Sequence, residues 1–173
     1  MLNMNTGVII MLDRKLLKML NEQLNREIYS GYLYWSMASW FDANNLKGFA
    51  HWMKKQAEEE IDHAKKFYEY INDRREKVEM LPVEAPKSSW SSPLEVFEDT
   101  FAHEQKVTEM INSLVDAARE VNDHATCEFL QWFVKEQVEE EANAEEIVQK
   151  LRFAGDSPSV ILMLDQALGS RED

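Results

Sequence analysis

Glu60-Ile61-Asp62-His63 sets a carboxylate and an imidazole three residues apart, a spacing at which both side chains can reach one cation from a single helix. They interrupt a stripe that is apolar and aromatic at both ends: Phe49, Met53, Gln56, Glu60, His63, Phe67 and Tyr70 recur every three or four residues and share one face. A charged group at a core position costs on the order of several kcal/mol unless it is paired or bound to a metal. Three other stripes carry the same kind of interruption. Glu27 sits between Leu24 and Gly31, Glu104 between Phe101 and Ile111, and Gln137 with Glu140 between Phe133 and Ile147.

The interruptions are in register. Glu60 follows Glu27 by 33 residues and His63 follows it by 36; Gln137 and Glu140 follow Glu104 by the same two intervals. A shift of 77 residues therefore lays Glu27 on Glu104, Glu60 on Gln137, His63 on Glu140 and Glu59 on Glu136. Two such hairpins related by a pseudo-two-fold axis would bring the six stripe side chains to one level of a core. Four carboxylates, one imidazole and one amide, with no thiolate, favour iron or manganese over structural zinc. Two divalent ions would balance four buried carboxylates, where one would leave excess negative charge.

The elements that must position these groups are long helices. The first runs from Asp13, as cap, to about Phe41, and the second, which Asn45 can cap, to about Asp73. From Arg74 to Ser92 the periodicity is lost and Pro82 and Pro86 mark a long connection. Ser92-Pro93-Leu94-Glu95 combines a cap, a proline at the first helical position and a glutamate three residues on, opening a third helix to about Val121. A fourth reaches Ala154 and stops at Gly155, and Ser157-Pro158 starts a short fifth. This predicts an all-α, up-down-down-up four-helix bundle: two hairpins joined by a crossover, with rods of about 40 Å at about 1.5 Å per residue, plus a C-terminal helix. Domain boundaries follow: an N-terminal extension over residues 1–12, for which Met11 serves equally well as a start, a bundle over 13–154, and a short helix and tail over 155–173.

Composition agrees. The 173 residues suit one domain, and 45% apolar content excludes disorder. A net charge of −13 argues against nucleic acid as a partner. Val8 to Leu12 is too short for a membrane span or a secretion signal, and the single Cys127 rules out a disulfide framework, so a reducing cytoplasm is the expected compartment.

Glu27 in Leu-Asn-Arg-Glu-Ile-Tyr with Tyr34, Glu60-Ile-Asp-His63, His103-Glu104 and Glu136-Gln137-Val-Glu-Glu140 together resemble the non-haem ferritins of bacteria and archaea, from about Met11 to Leu168. The resemblance implies that Glu27, Glu60 and His63 hold a first iron, with Glu60 bridging, and that Glu104 and Glu140 hold a second. It implies that Gln137 sits beside the second iron, and that Tyr34 hydrogen-bonds nearby and supplies an electron. Glu59, Glu136 and Glu139, with Glu140, match a third iron site. The implied reaction is oxidation of two Fe²⁺ by O₂ or H₂O₂, with Fe³⁺ passing to a mineral core inside a homo-oligomeric shell, typically of 24 subunits. Haem is not expected, because Ile61 stands where the haem-ligating methionine of bacterioferritins follows the glutamate.

Blander readings compete at single positions. His51, His103 and His124 are expected at the surface or behind the site, and Glu58 and Glu141 in solvent. Trp52, Trp132, Phe133 and Tyr70 are expected in core packing, and Cys127 half-buried and inert. The alternative to storage is a non-storing di-iron oxidase or peroxidase on a dimeric bundle, separable by native mass; a bundle with acidic interior positions and no metal is the third.

Overall fold

The computed structural model describes residues 12–155 and 157–170. Its five helices are α1 (Arg14–Ala43), α2 (Lys47–Asp73), α3 (Pro93–Glu120), α4 (His124–Ala154) and α5 (Pro158–Leu168). Helix α1 pairs with α2 and α3 with α4; α1 meets α3, and α5 packs on α2 and α4. The up-down-down-up bundle with a long crossover is therefore as the periodicity predicts, with no strand among the described residues. The expected N-terminal extension falls almost wholly outside the described residues, but Leu12 is buried against the bundle.

Local chemistry explains the helix ends. The Asp13 carboxylate accepts from the backbone N–H groups of Lys15 and Leu16, and Ser92 Oγ accepts from Glu95 N. Glu95 does not close a capping box on Ser92; its carboxylate accepts from the N–H and hydroxyl of Ser91 instead. Asn45 does not cap α2. It takes φ 58° in the tight turn, a left-handed conformation asparagine tolerates, so its side chain is not at the cap position. The Asp165 carboxylate of α5 does the capping, accepting from Gly48 N at 2.8 Å and Phe49 N at 3.0 Å. Only glycine fits there: a Cβ on Gly48 would lie 1.5 Å from the Asp165 carbonyl oxygen.

The crossover is tied to α1 rather than left loose. Asn21 donates to Lys77 O and accepts from Glu79 N, and Asn25 donates to Glu79 O and accepts from Leu81 N. Two apolar clusters fill the bundle. One holds Phe41, Phe49, Trp52 and Phe97; the other holds Leu20, Phe67, Ile111 and Phe133. On each of α1 to α4 the buried acids or amides matched in the repeat fall between the two clusters, so the core is two apolar blocks separated by a polar layer.

Candidate metal centre

All six matched stripe residues are in that layer. Glu27, Glu60, His63, Glu104, Gln137 and Glu140 are each at most 5% exposed. Helical periodicity alone places them there, because each occupies a position that would otherwise carry a core hydrophobe.

Donor atoms of Glu27, Glu60 and His63 lie within 4.8 Å of one another, and so do those of His63, Glu136 and Glu140. Three N/O donors this close could share one cation. His63 Nδ1 stands 3.3 Å from Glu60 Oε2, and its Nε2 stands 4.0 Å from Glu136 Oε1. Burial, with the Lys66 charge nearby, pushes the imidazole pKa down to about 4. The ring is neutral at pH 7, so these contacts are not ion pairs, and a neutral imidazole is the form that ligates a metal.

The carboxyls are displaced the other way. Burial raises Glu27 to about 7, the Gln23 hydrogen bond opposing it, and raises Glu140 to about 8 with the help of Glu104 and Glu59. Glu60 is pushed well above the usual carboxylate range by burial and by Glu104, Glu27 and Glu140, and Glu104 is raised by its burial. Tyr34 stays protonated, its pKa held up by burial and the neighbouring acids, and its hydroxyl donates to Glu104 Oε1. Gln137 Nε2 donates to Glu104 Oε2 at 3.1 Å, so both Glu104 oxygens are engaged. Among the described residues, Glu27 Oε2 and Glu60 Oε2 are buried and accept from no other group, so that only a proton shared between the two acids themselves can join them. Two orphaned carboxylate oxygens next to a neutral imidazole form the donor set a divalent ion would satisfy.

The residues expected at a third site are less enclosed. Glu59 and Glu136 are half-buried and Glu139 is exposed. Glu136 is nevertheless raised, by burial first and then by the charges of Glu139 and Glu59. Among the described residues, the structure groups Glu136 and Glu140 with His63 and places neither Glu59 nor Glu139 in a three-donor cluster.

Several expectations are corrected. Trp132 is not core: it is 39% exposed, with its ring edge-on to His63 and Lys66 Nζ 4.4 Å above it. Glu141 is not free in solvent, since it accepts a hydrogen bond from Thr108. His103 falls within its expectation, behind the site: it is half-buried, bonded to Ser30 Oγ at 2.8 Å and edge-on to Tyr34. Sequence reasoning missed Gln23 and gave Gln56 no role. Gln23 Nε2 donates to Glu27 Oε1 and Gln56 Nε2 to Glu140 Oε2, each at 2.8 Å. The available signal was position, one turn before Glu27 and Glu60 respectively.

The ferritin-like domain family matches residues 17–154. The chain belongs to the ferritin family. It is 44% identical over 161 residues to the bacterial non-heme ferritin of Bacteroides fragilis, covering 93% of this chain and 100% of that protein. The bacterial non-heme ferritin of Campylobacter jejuni is 42% identical over 156 residues, covering 90% of this chain and 93% of that one. The open pore ferritin of the hyperthermophilic archaeon Archaeoglobus fulgidus superposes with a TM-score of 0.92 at 48% identity, covering 93% of this chain and 99% of that one. The polar layer described above is thus the interior of a ferritin subunit. No described helix of this ferritin is long and apolar enough to cross a membrane.

Proposed function

We propose that this ferritin stores iron, oxidising Fe²⁺ with O₂ or H₂O₂ at the polar layer and depositing Fe³⁺ inside a cytoplasmic homo-oligomeric shell of 24 subunits. The observation that carries the reading is the pair of orphaned oxygens, Glu27 Oε2 and Glu60 Oε2, beside the neutral His63 ring. Iron is the substrate here. Glu27, Glu60 and His63 bind the first Fe²⁺, with Glu60 shared between the two ions. Glu104 and Glu140 bind the second, with Gln137 at its side, and Glu59, Glu136, Glu139 and Glu140 take a third on its way out. Two Fe²⁺ give up two electrons, which with two protons reduce O₂ to H₂O₂, or H₂O₂ to two waters. Buried carboxyls that hold protons at neutral pH, Glu140 and Glu60 among them, release them as the ions arrive and lie next to the oxidant that needs them. Tyr34, whose hydroxyl donates to Glu104, supplies a further electron on this reading.

Assembly is supported by what the subunit leaves uncovered. Helix α5 buries none of its residues fully, and Phe153, Leu162 and Met163 are 94%, 59% and 71% exposed, an apolar surface that further copies would cover. The test pairs stopped-flow Fe²⁺ oxidation with native mass. Glu60→Ala and His63→Ala should abolish rapid oxidation while leaving the helical content and assembled mass intact. Oxidation at the parent rate in His63→Ala rejects the site, and an isolated dimer rejects storage while leaving the oxidation chemistry.

A further inference from the structure

Each terminal carboxylate of the centre is gripped on one oxygen by a primary amide, and the bridging candidate is not. Gln23 holds Glu27 Oε1, Gln56 holds Glu140 Oε2 and Gln137 holds Glu104 Oε2. Among the hydrogen bonds of the described residues, no glutamine amide is seen on Glu60, whose Oε2 has only the neighbouring Glu27 to share a proton with. We infer that Gln23 and Gln56 are positioning residues, which fix the planes of Glu27 and Glu140 as terminal ligands and leave Glu60 free to bridge. The inference rests on the metal-binding reading above.

Three observations carry it. Both amides are buried, 3% and 1% exposed, so an unpaired Nε2 would be costly and each bond is held in place. Both donors are neutral: a lysine or arginine would bring the positive charge that the ion itself must supply, whereas an amide orients without competing. Both come from the first hairpin. The 77-residue shift that aligns the ligands puts Thr100 opposite Gln23 and Phe133 opposite Gln56, so the amides are no by-product of the internal repeat. Gln23 serves an acid on its own helix, and Gln56 reaches from α2 across to α4. Groups behind metal ligands typically alter affinity about 10- to 100-fold when removed.

The experiment is a double-mutant cycle on the assembled, chelator-stripped protein with redox-inert Zn²⁺, followed by calorimetry, and with Co²⁺, followed by its visible bands. Gln23→Met and Gln56→Met keep the volume and delete the donor; Gln23→Leu and Gln56→Leu serve where a methionine variant does not assemble. Each should weaken one ion equivalent about tenfold or more and shift the Co²⁺ bands. The effect of Gln23→Met should vanish in a Glu27→Ala background, and that of Gln56→Met in a Glu140→Ala background. An effect that persists in those backgrounds means general loosening and overturns the inference. So does unchanged Zn²⁺ binding in the single variants, which leaves the ferroxidase reading standing. Absence of Zn²⁺ binding in the parent protein overturns both.

Discussion

Replacing Glu27 with glutamine should stabilise the metal-free protein, and increasingly so as the pH rises. The carboxyl stands at about 7 in the folded chain against an ordinary 4.5, so between those values the folded state holds a proton that the unfolded state has released. Stability from such a group is fully present below pH 4.5 and is lost as the pH climbs through 7. At about 1.36 kcal/mol per pH unit the full loss is about 3 kcal/mol, of which about 2.5 kcal/mol accrues between pH 5 and pH 8. The amide of Glu27→Gln does not titrate; its carbonyl can still accept from Gln23, and its NH₂ can donate to the orphaned Glu60 oxygen. For a chain of this size about 2.5 kcal/mol moves Tm by roughly 5–10 °C. The gap between variant and parent Tm should therefore widen by that amount from pH 5 to pH 8, measured by calorimetry with chelator at one scan rate. Adding Zn²⁺ at about 100 times its Kd should raise the parent by about 2.7 kcal/mol and the variant by less. A gap that is flat or narrows with pH would refute the claim that burial of this acid is uncompensated without metal.

Three more outcomes follow from the same geometry. Zn²⁺ loading at pH 7 should release at least about one proton per subunit, because Glu27 near 7 and Glu140 near 8 are then about half and mostly protonated; calorimetry in buffers of different ionisation enthalpy counts them, and no release contradicts the raised values. Glu136→Ala combined with Glu139→Ala should leave the first Fe²⁺ oxidation at its parent rate and slow later turnovers, so unchanged kinetics over many additions would remove the third site. Asp165→Ala should cost about 1 kcal/mol as a lost cap and speed amide exchange at Gly48 and Phe49, the two groups it holds; protection there equal to the parent's would show that the cap is not what docks α5.

The layer was legible in the sequence because two regularities coincide in it. Helical period placed Glu27, Glu60, His63, Glu104, Gln137 and Glu140 on core faces, and the 77-residue repeat placed them at one height. What stayed hidden was bonding between elements distant in the chain. Nothing in the pattern of α1 marks out Asn21 and Asn25, yet they hold the crossover 54 to 58 residues away. The α2 cap comes from Asp165, 117 residues downstream of Gly48, where only Asn45 was near enough in sequence to be considered. Trp132 is expected in the core, but it is one residue from the buried Phe133, and a one-residue step turns a helix by about 100° and carries its ring to the rim.

The repeat in the sequence is symmetric, and the bonding around the layer is not. In the first hairpin Glu27 and Glu60 each present an oxygen that accepts from no group outside the pair, and His63 is already neutral. In the second, both Glu104 oxygens are occupied, by Tyr34 and by Gln137, and a carboxyl that holds its proton near pH 8 stands at the position equivalent to His63. On the reading proposed above, an ion therefore meets open oxygens on one side, whose acids must also release protons, and a locked position on the other. Opening the lock means giving up a hydrogen bond to a charged group, roughly 1.5–3 kcal/mol, and expelling the Glu140 proton. The first ion lowers that barrier, since its charge favours the ionised forms of the acids that share Glu60's surroundings. On the same reading, occupation of the second position detaches one of the two donors, Tyr34 or Gln137, from Glu104 at the step when both Fe²⁺ ions are in place.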